Sequence, residues 1–133
     1  MATIRSLLHG VAHPADSSAI QPGLFLLRTE DEWAGRWRQL TAGQQPAPDL
    51  PPVDWTTEVV LGLVLGFRPT TGYTVTIEQV VARYDVLEAQ ATEVRPGGFT
   101  GQAVTVPVHV VAVPAADARD DLLLIQRIVT AAG

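Results

Sequence analysis

Residues 59–77, VVLGLVLGFRPTTGYTVTI, constrain the fold more than any other stretch of the chain. The first arm reads as a buried strand, with Val59, Leu61, Leu63, Leu65 and Phe67 on one face. The other face carries Val60, Gly62, Val64 and Gly66, small enough to let a neighbour approach closely. The second arm alternates Tyr73, Val75 and Ile77 with Thr74, Thr76 and Glu78, the period-two pattern of a strand with one wet face. Between the arms, Pro69 presets φ for a turn, and Gly72 can take the positive φ that closes it. The expectation is a central hairpin that displays the loop 68–73 at its tip.

A chain of 133 residues can bury a core without staples, and a single domain over 1–133 is expected. With 47% hydrophobic residues it has the means to fold. The absence of cysteine excludes disulfides, thiolate nucleophiles and Cys-ligated zinc. A net charge of −5 argues against nucleic acid or an anionic membrane as partner. All nine basic residues are Arg, which reads as genome composition rather than mechanism. The start, MATIRSLLHGVAHP, shows no signal peptide, and 59–67 falls far short of the ~20 apolar residues of a membrane span. A soluble protein, with export undecided, is the expectation.

Residues 3–9 could open the fold as a strand, and LFLLR at 24–28 has strand length. An amphipathic helix follows at 29–40. Thr29 is its N-cap, with Glu32 completing a capping box, and Trp33, Trp37 and Leu40 form one apolar stripe. A Trp pair at this spacing could be a carbohydrate or peptide platform, but such a stripe normally faces the core. The connector TAGQQPAPDLPPVDWT is stiffened by Pro46, Pro48, Pro51 and Pro52. It is expected to be a strap over the domain rather than a polyproline ligand. Residues 84–94 fit either a helix, by propensity, or a strand with Leu87, Ala89 and Ala91 inward. Residues 104–113 read as a strand with Val104, Val106, Val108 and Val110 on one face; Pro107 would place it at an edge or at a bulge. Residues 122–129 close the chain as a further strand. Together these patterns imply a mainly β fold, sandwich or barrel-like, with one helix in the N-terminal third. Its core is expected at Trp33, Trp37, Leu61, Leu63, Leu65, Val75 and Ile77.

The inventory of reactive groups is thin. His9 and His13 have the spacing of a helical metal pair, but Gly10 and Pro14 oppose a helix, and no carboxylate follows at ligand spacing. His109 would lie on the face opposite the valines, exposed or at an edge. Ser6, Ser17 and Ser18 lack a nucleophile-elbow pattern, and Asp54 with Glu58 is an ordinary pair of nearby acids. The glycine-rich 97–101 precedes no helix that could bind phosphate. No catalytic residue, metal or cofactor is expected. The loop 68–73 remains, since loops on rigid scaffolds carry binding function.

Several segments together resemble the C-terminal domain of PrcB-type protease-complex subunits, over 50–114. The entry Pro51-Pro52-Val53-Asp54-Trp55 and the strand ending at Gly66 match its pattern. So do the turn Pro69-Thr70-Thr71-Gly72-Tyr73 and the strand bearing Val75 and Ile77. Pro96, Gly97, Gln102, Ala103, Thr105 and Pro107 match the later segment. Trp55 stands for the usual Phe, Thr71 for a Gly and Gly101 for a Thr. The resemblance implies a non-enzymatic accessory subunit that binds and stabilises a protease, in a family often exported. Binding would fall to Arg68, Pro69, Thr70, Thr71, Gly72 and Tyr73, with Gly97, Gly98, Phe99 and Thr100. Within that loop, Thr70 and Thr71 would offer hydroxyls, Arg68 a charge-assisted donor, and Tyr73 an anchor.

Residues 69–73 also resemble the loop core of chagasin-type inhibitors of papain-like cysteine proteases, with 97–101 standing in for their glycine-rich loop. Arg68 replaces the Asn of that motif, and no Trp follows Tyr73. An intracellular ligand-binding or oligomerising β-domain is the third alternative. The oligomeric state and the partner's identity stay open at this level.

Overall fold

A computed structural model describes residues 3–14, 20–98 and 100–131. Its elements are β1 (Arg5–Val11), β2 (Gly23–Leu27), α1 (Glu30–Thr41), β3 (Glu58–Val64), β4 (Thr74–Arg83), β5 (Val86–Arg95), β6 (Pro107–Pro114) and β7 (Asp121–Thr130). A four-stranded sheet in the order β1-β6-β3-β2 packs on a three-stranded sheet in the order β4-β5-β7. The fold is mainly β, with α1 on the outer face of the larger sheet and no closed barrel. No described helix is long and apolar enough to cross a membrane.

Helix α1 starts where the capping pattern places it. Thr29 is extended, and its hydroxyl accepts the Glu32 amide at 3.2 Å. The return bond of the box falls one residue upstream, where Arg28 N–H donates to the Glu32 carboxylate at 2.9 Å. Trp33, Trp37 and Leu40 are buried against the sheet, so the Trp pair is core. The proline connector is the strap expected of it. The indole N–H of Trp33 donates to Pro51 O and that of Trp37 to Pro48 O, each at 3.0 Å. These bonds satisfy the polar atoms that burial of the rings would otherwise strand.

β3 is buried on both faces. Val59, Leu61, Leu63 and Leu65 enter the core between the sheets, together with Val75, Ile77, Leu87 and Val111. Val60 and Val64 point to the helix side, where the Phe25 ring lies so close over Gly62 that a Cβ there would come within 2.1 Å of it. The close approach read from the small face is therefore real, and its occupant is Phe25. Phe67 departs from the pattern. The strand ends at Val64, and Phe67 is 45% exposed.

The central hairpin does not form. β3 pairs with β2 and β6, whereas β4 pairs with β5, so 65–73 crosses from one sheet to the other. Period-two alternation identifies strands without naming their partners, and Pro69 with Gly72 shapes a crossover as readily as a hairpin. Residues 86–95 form a strand, with Leu87, Ala89 and Ala91 inward. Tyr84 takes φ 55° to turn β4 into β5, and tertiary pairing outweighs the helix propensity of this segment. β6 is neither an edge nor bulged at Pro107. It is a central strand that begins at Pro107, where a missing N–H interrupts nothing. Val104 precedes it and is 65% exposed, so the face shared by the valines begins only at Val106.

Candidate functional site

The crossover 68–73 lies against Pro96, Thr100, Gly101 and Thr105 of the return segment, far off in sequence. Arg68 and Thr105 form an isolated antiparallel bridge, with N–H to O distances of 2.8 and 3.0 Å. Thr71 donates its amide to Gly101 O at 3.0 Å, and the Thr105 hydroxyl donates to Thr70 O at 3.0 Å. Gly72 has φ 93°, and a Cβ on it would sit 2.9 Å from Thr100 Cγ2 and 3.1 Å from Pro96 Cβ. Glycine is required there by conformation and by space alike. The two loops thus present one backbone surface.

That surface is anchored from inside. Arg68 donates from Nε and Nη2 to the two oxygens of Glu93, at 2.7 and 3.0 Å. The Glu93 side chain is fully buried, and Gln126 donates to it at 3.2 Å. The Arg68 hydrogen bonds hold the Glu93 carboxyl below its usual range, against a desolvation that pushes it up. The same pairing raises Arg68. Arg68 is therefore a brace, not a donor facing outward. The threonine hydroxyls also donate within the loops, Thr70 to Thr71 O at 3.1 Å and Thr71 to Gly101 O at 3.3 Å. Pro69, Gly72, Gly97 and Gly98 are exposed, while Tyr73 and Thr100 are half-buried. Phe99 lies outside the described residues. Phe67 and Val104, each one residue before a member of the bridge, line an open depression of about 320 Å³ with Ala12, Pro14 and Val106.

The comparison with known families falls on this region. Residues 59–114 match the family model PrcB C-terminal. The match runs from β3 through β6, so the matched segment holds the two inner strands of the larger sheet, the β4–β5 hairpin and both loops. The entry at 50–55 lies before it, as do β1, β2 and α1, and β7 lies after it. No curated protein and no solved structure matches the chain.

Inside the matched segment, His109 is 3% exposed, contrary to the exposed or edge position read from the sequence. β6 is central, so both its faces are covered. The Ile77 amide donates to His109 Nδ1 at 2.8 Å, and Ser6 Oγ is 2.7 Å from Nε2. An acceptor at Nδ1 places the ring proton on Nε2, which then donates to Ser6. A serine nucleophile needs the opposite tautomer, with Nε2 free to take the hydroxyl proton. Burial, with His9 stacked on the ring at 3.9 Å, pushes the His109 pKa down to about 4. The group is a pin between the sheets.

The remaining candidates do not converge on a site. His9 lies on β1, bonding Val75 O at 2.9 Å, and His13 lies beyond that strand, so the helical metal spacing has no helix. Asp54 accepts from the Thr56 amide and hydroxyl, and Glu58 accepts from the Asp54 amide and Arg5. Both acids serve the turn into β3. Ser17 and Ser18 lie outside the described residues. Among the described residues no group of three or more His, Asp or Glu could hold a metal. Sequence reading missed Glu93, Phe67 and Val104. Glu93 carried a signal, because it shares the inward register of Leu87, Ala89 and Ala91 once 86–95 is a strand.

Proposed function

We propose that this chain is a non-catalytic protein-binding domain that uses the joined loops 68–73 and 96–105 to hold a protein partner in an assembly of the protease-complex type. The observation behind this reading is the joining itself: two segments singled out separately form one braced surface. A surface fixed before binding loses little entropy on association. With Arg68 turned inward and the threonine hydroxyls donating to carbonyls within the loops, recognition would rest on backbone shape at Pro69 and Gly72 and on the apolar pair Phe67 and Val104. Exposed aromatic anchors beside a depression are the usual hot spots of such contacts. The PrcB C-terminal match favours a protease as the partner.

The test is an affinity measurement against the partner recovered by cross-linking in the native cell. Phe67→Ser combined with Val104→Ser is expected to weaken binding tenfold or more, with little change in melting temperature. Unchanged affinity in a folded double variant would remove the surface from the interface. A second reading draws on the meeting of these loops at one end of the sandwich, as a chagasin-type wedge would require. It predicts inhibition of papain, and full papain activity at saturating protein would dismiss it.

A further inference from the structure

β7 is a ten-residue edge strand with no bulge in its pairing to β5. Among the described residues no strand pairs with its other side. Its outward face exposes Leu123 and Ile125, 47% and 49% accessible, while Leu122 and Leu124 pack inward on the core. Edge strands are normally blunted by bulges, prolines, shortness or inward charges. The other edges here follow that rule. β1 carries a register shift between Ser6 and Leu8, β2 has five residues, and β4 shifts between Ile77 and Gln79. β7 has no bulge, proline or inward charge and runs for ten residues; its two charges, Asp121 and Arg127, flank the apolar stretch of its outward face.

We propose that β7 pairs antiparallel with β7 of a second copy, about a two-fold axis at Leu124. The sequence Asp121-Leu-Leu-Leu-Ile-Gln-Arg127 is self-complementary in that register. Asp121 falls opposite Arg127 of the second copy, Leu123 opposite Ile125, Leu122 opposite Gln126, and Leu124 opposite itself. Both acid–base pairs lie on the outward face and flank the apolar ones. Shifting the axis by one residue either way sets Asp121 against Ile125 or Val129, so charge meets apolar surface. Arg127 is 70% exposed and held only by long contacts, a 3.4 Å hydrogen bond to Thr92 Oγ1 and a 4.0 Å approach to Glu78, which pairing with Asp121 of the second copy would replace. Opposite-charge and apolar cross-strand pairs are the stabilising units of antiparallel sheets. The product is a continuous sheet in the order β4-β5-β7-β7-β5-β4, closed by the two-fold so that no edge template remains on that side.

Sedimentation analysis and cysteine cross-linking test the register. The wild-type chain is expected to dimerise reversibly. Asp121→Arg or Arg127→Asp alone should raise the dissociation constant about fivefold or more, since each change acts at both symmetric contacts. The double variant Asp121→Arg with Arg127→Asp should return it to within about twofold. The native chain has no cysteine. Leu124→Cys should therefore give a disulfide-linked dimer on mild oxidation, and Leu122→Cys should not, because only the residue on the axis meets its own copy within disulfide reach. A monomer at the highest soluble concentration would overturn the proposal and leave the edge to a strand from another protein. Dimers indifferent to the charge reversals, or equal cross-linking at both positions, would overturn the register.

Discussion

β4 and β7 are the two edges of one sheet, on either side of β5. Along β4, the Ile77 amide is taken by His109 and the Val75 carbonyl by His9, so side chains of the larger sheet occupy the edge. The loop leading into β4 is fixed in the same manner, by Arg68 on Glu93. Along β7, the outer backbone groups meet no strand among the described residues, and the outward side chains are the apolar Leu123 and Ile125 flanked by Asp121 and Arg127. The occupied edge lies within 59–114 and the open edge beyond it. A closed edge couples stability to buried polar groups, and therefore to pH. An open edge costs the folded protomer little and leaves its groups for association. Substitutions on the two sides should differ accordingly.

The largest effect is expected at Glu93. Glu93→Ala leaves the Arg68 guanidinium, only 22% exposed, without its carboxylate. Breaking such a pair from one side costs about 3–5 kcal/mol, much of it the penalty of a stranded charge. Replacing both members, Arg68→Met with Glu93→Leu, should recover a large part of that loss in urea titrations. A cost under about 1 kcal/mol for Glu93→Ala would mean that the crossover is held by its backbone bonds alone.

His109 should make the closed edge acid-sensitive. Its folded pKa, about 4, lies below the ordinary 6.5. Between these values the unfolded chain takes up a proton that the folded chain refuses. Stability therefore falls as pH drops from about 6.5 to about 4, by up to about 3 kcal/mol at 1.4 kcal/mol per pKa unit. His109→Gln can keep both hydrogen bonds without titrating and should flatten the slope in that window. A further loss below the ordinary Glu pKa should survive, because the Glu93 carboxyl is held low by Arg68 and stabilises only while ionised. An unchanged slope in the variant would assign the pH response elsewhere.

Gly72→Val comes next. A β-branched residue at φ 93° is strained, and its Cβ meets Thr100 and Pro96. The expected cost is about 1–3 kcal/mol in denaturant midpoint, with no partner present. A neutral result would show that the two loops separate easily, which would weaken the case for a prepared binding surface.

Much of this contrast was legible in the residues. Thr29 and Glu32 marked the helix start, the Trp33–Trp37–Leu40 stripe marked its buried face, and the alternation in 59–67 and 73–78 marked two strands. These signals are local, set by helical and strand periods. Pairing is not local. Nothing between Phe67 and Tyr73 tells a crossover from a hairpin, so the partners of β3 and the meeting of 68–73 with 96–105 had to come from the fold. His109 was misplaced for the same reason: its burial depends on β6 lying between β1 and β3. Arg68 and the threonines sit on a crossover rather than a hairpin tip, and Arg68 turns to Glu93, which was hidden in a segment readable as helix or strand.

The smallest effect is expected at the open edge. Leu123→Thr puts a β-branched, strand-compatible residue in place of a leucine that is 47% exposed. Neither side of the change strands a buried polar group, because the outward face of β7 is in water. The protomer's stability at low concentration should move by about 0.5 kcal/mol or less, the range of ordinary surface substitutions. The contribution of Leu123 to pairing would instead appear as a concentration dependence. At high concentration the wild type should melt above the variant, and on dilution the two should converge, since association stabilises by mass action. A loss above about 1.5 kcal/mol that persists on dilution would place Leu123 in packing within the protomer. The edge would then be closed by its own chain, and the difference between β4 and β7 would lose its basis.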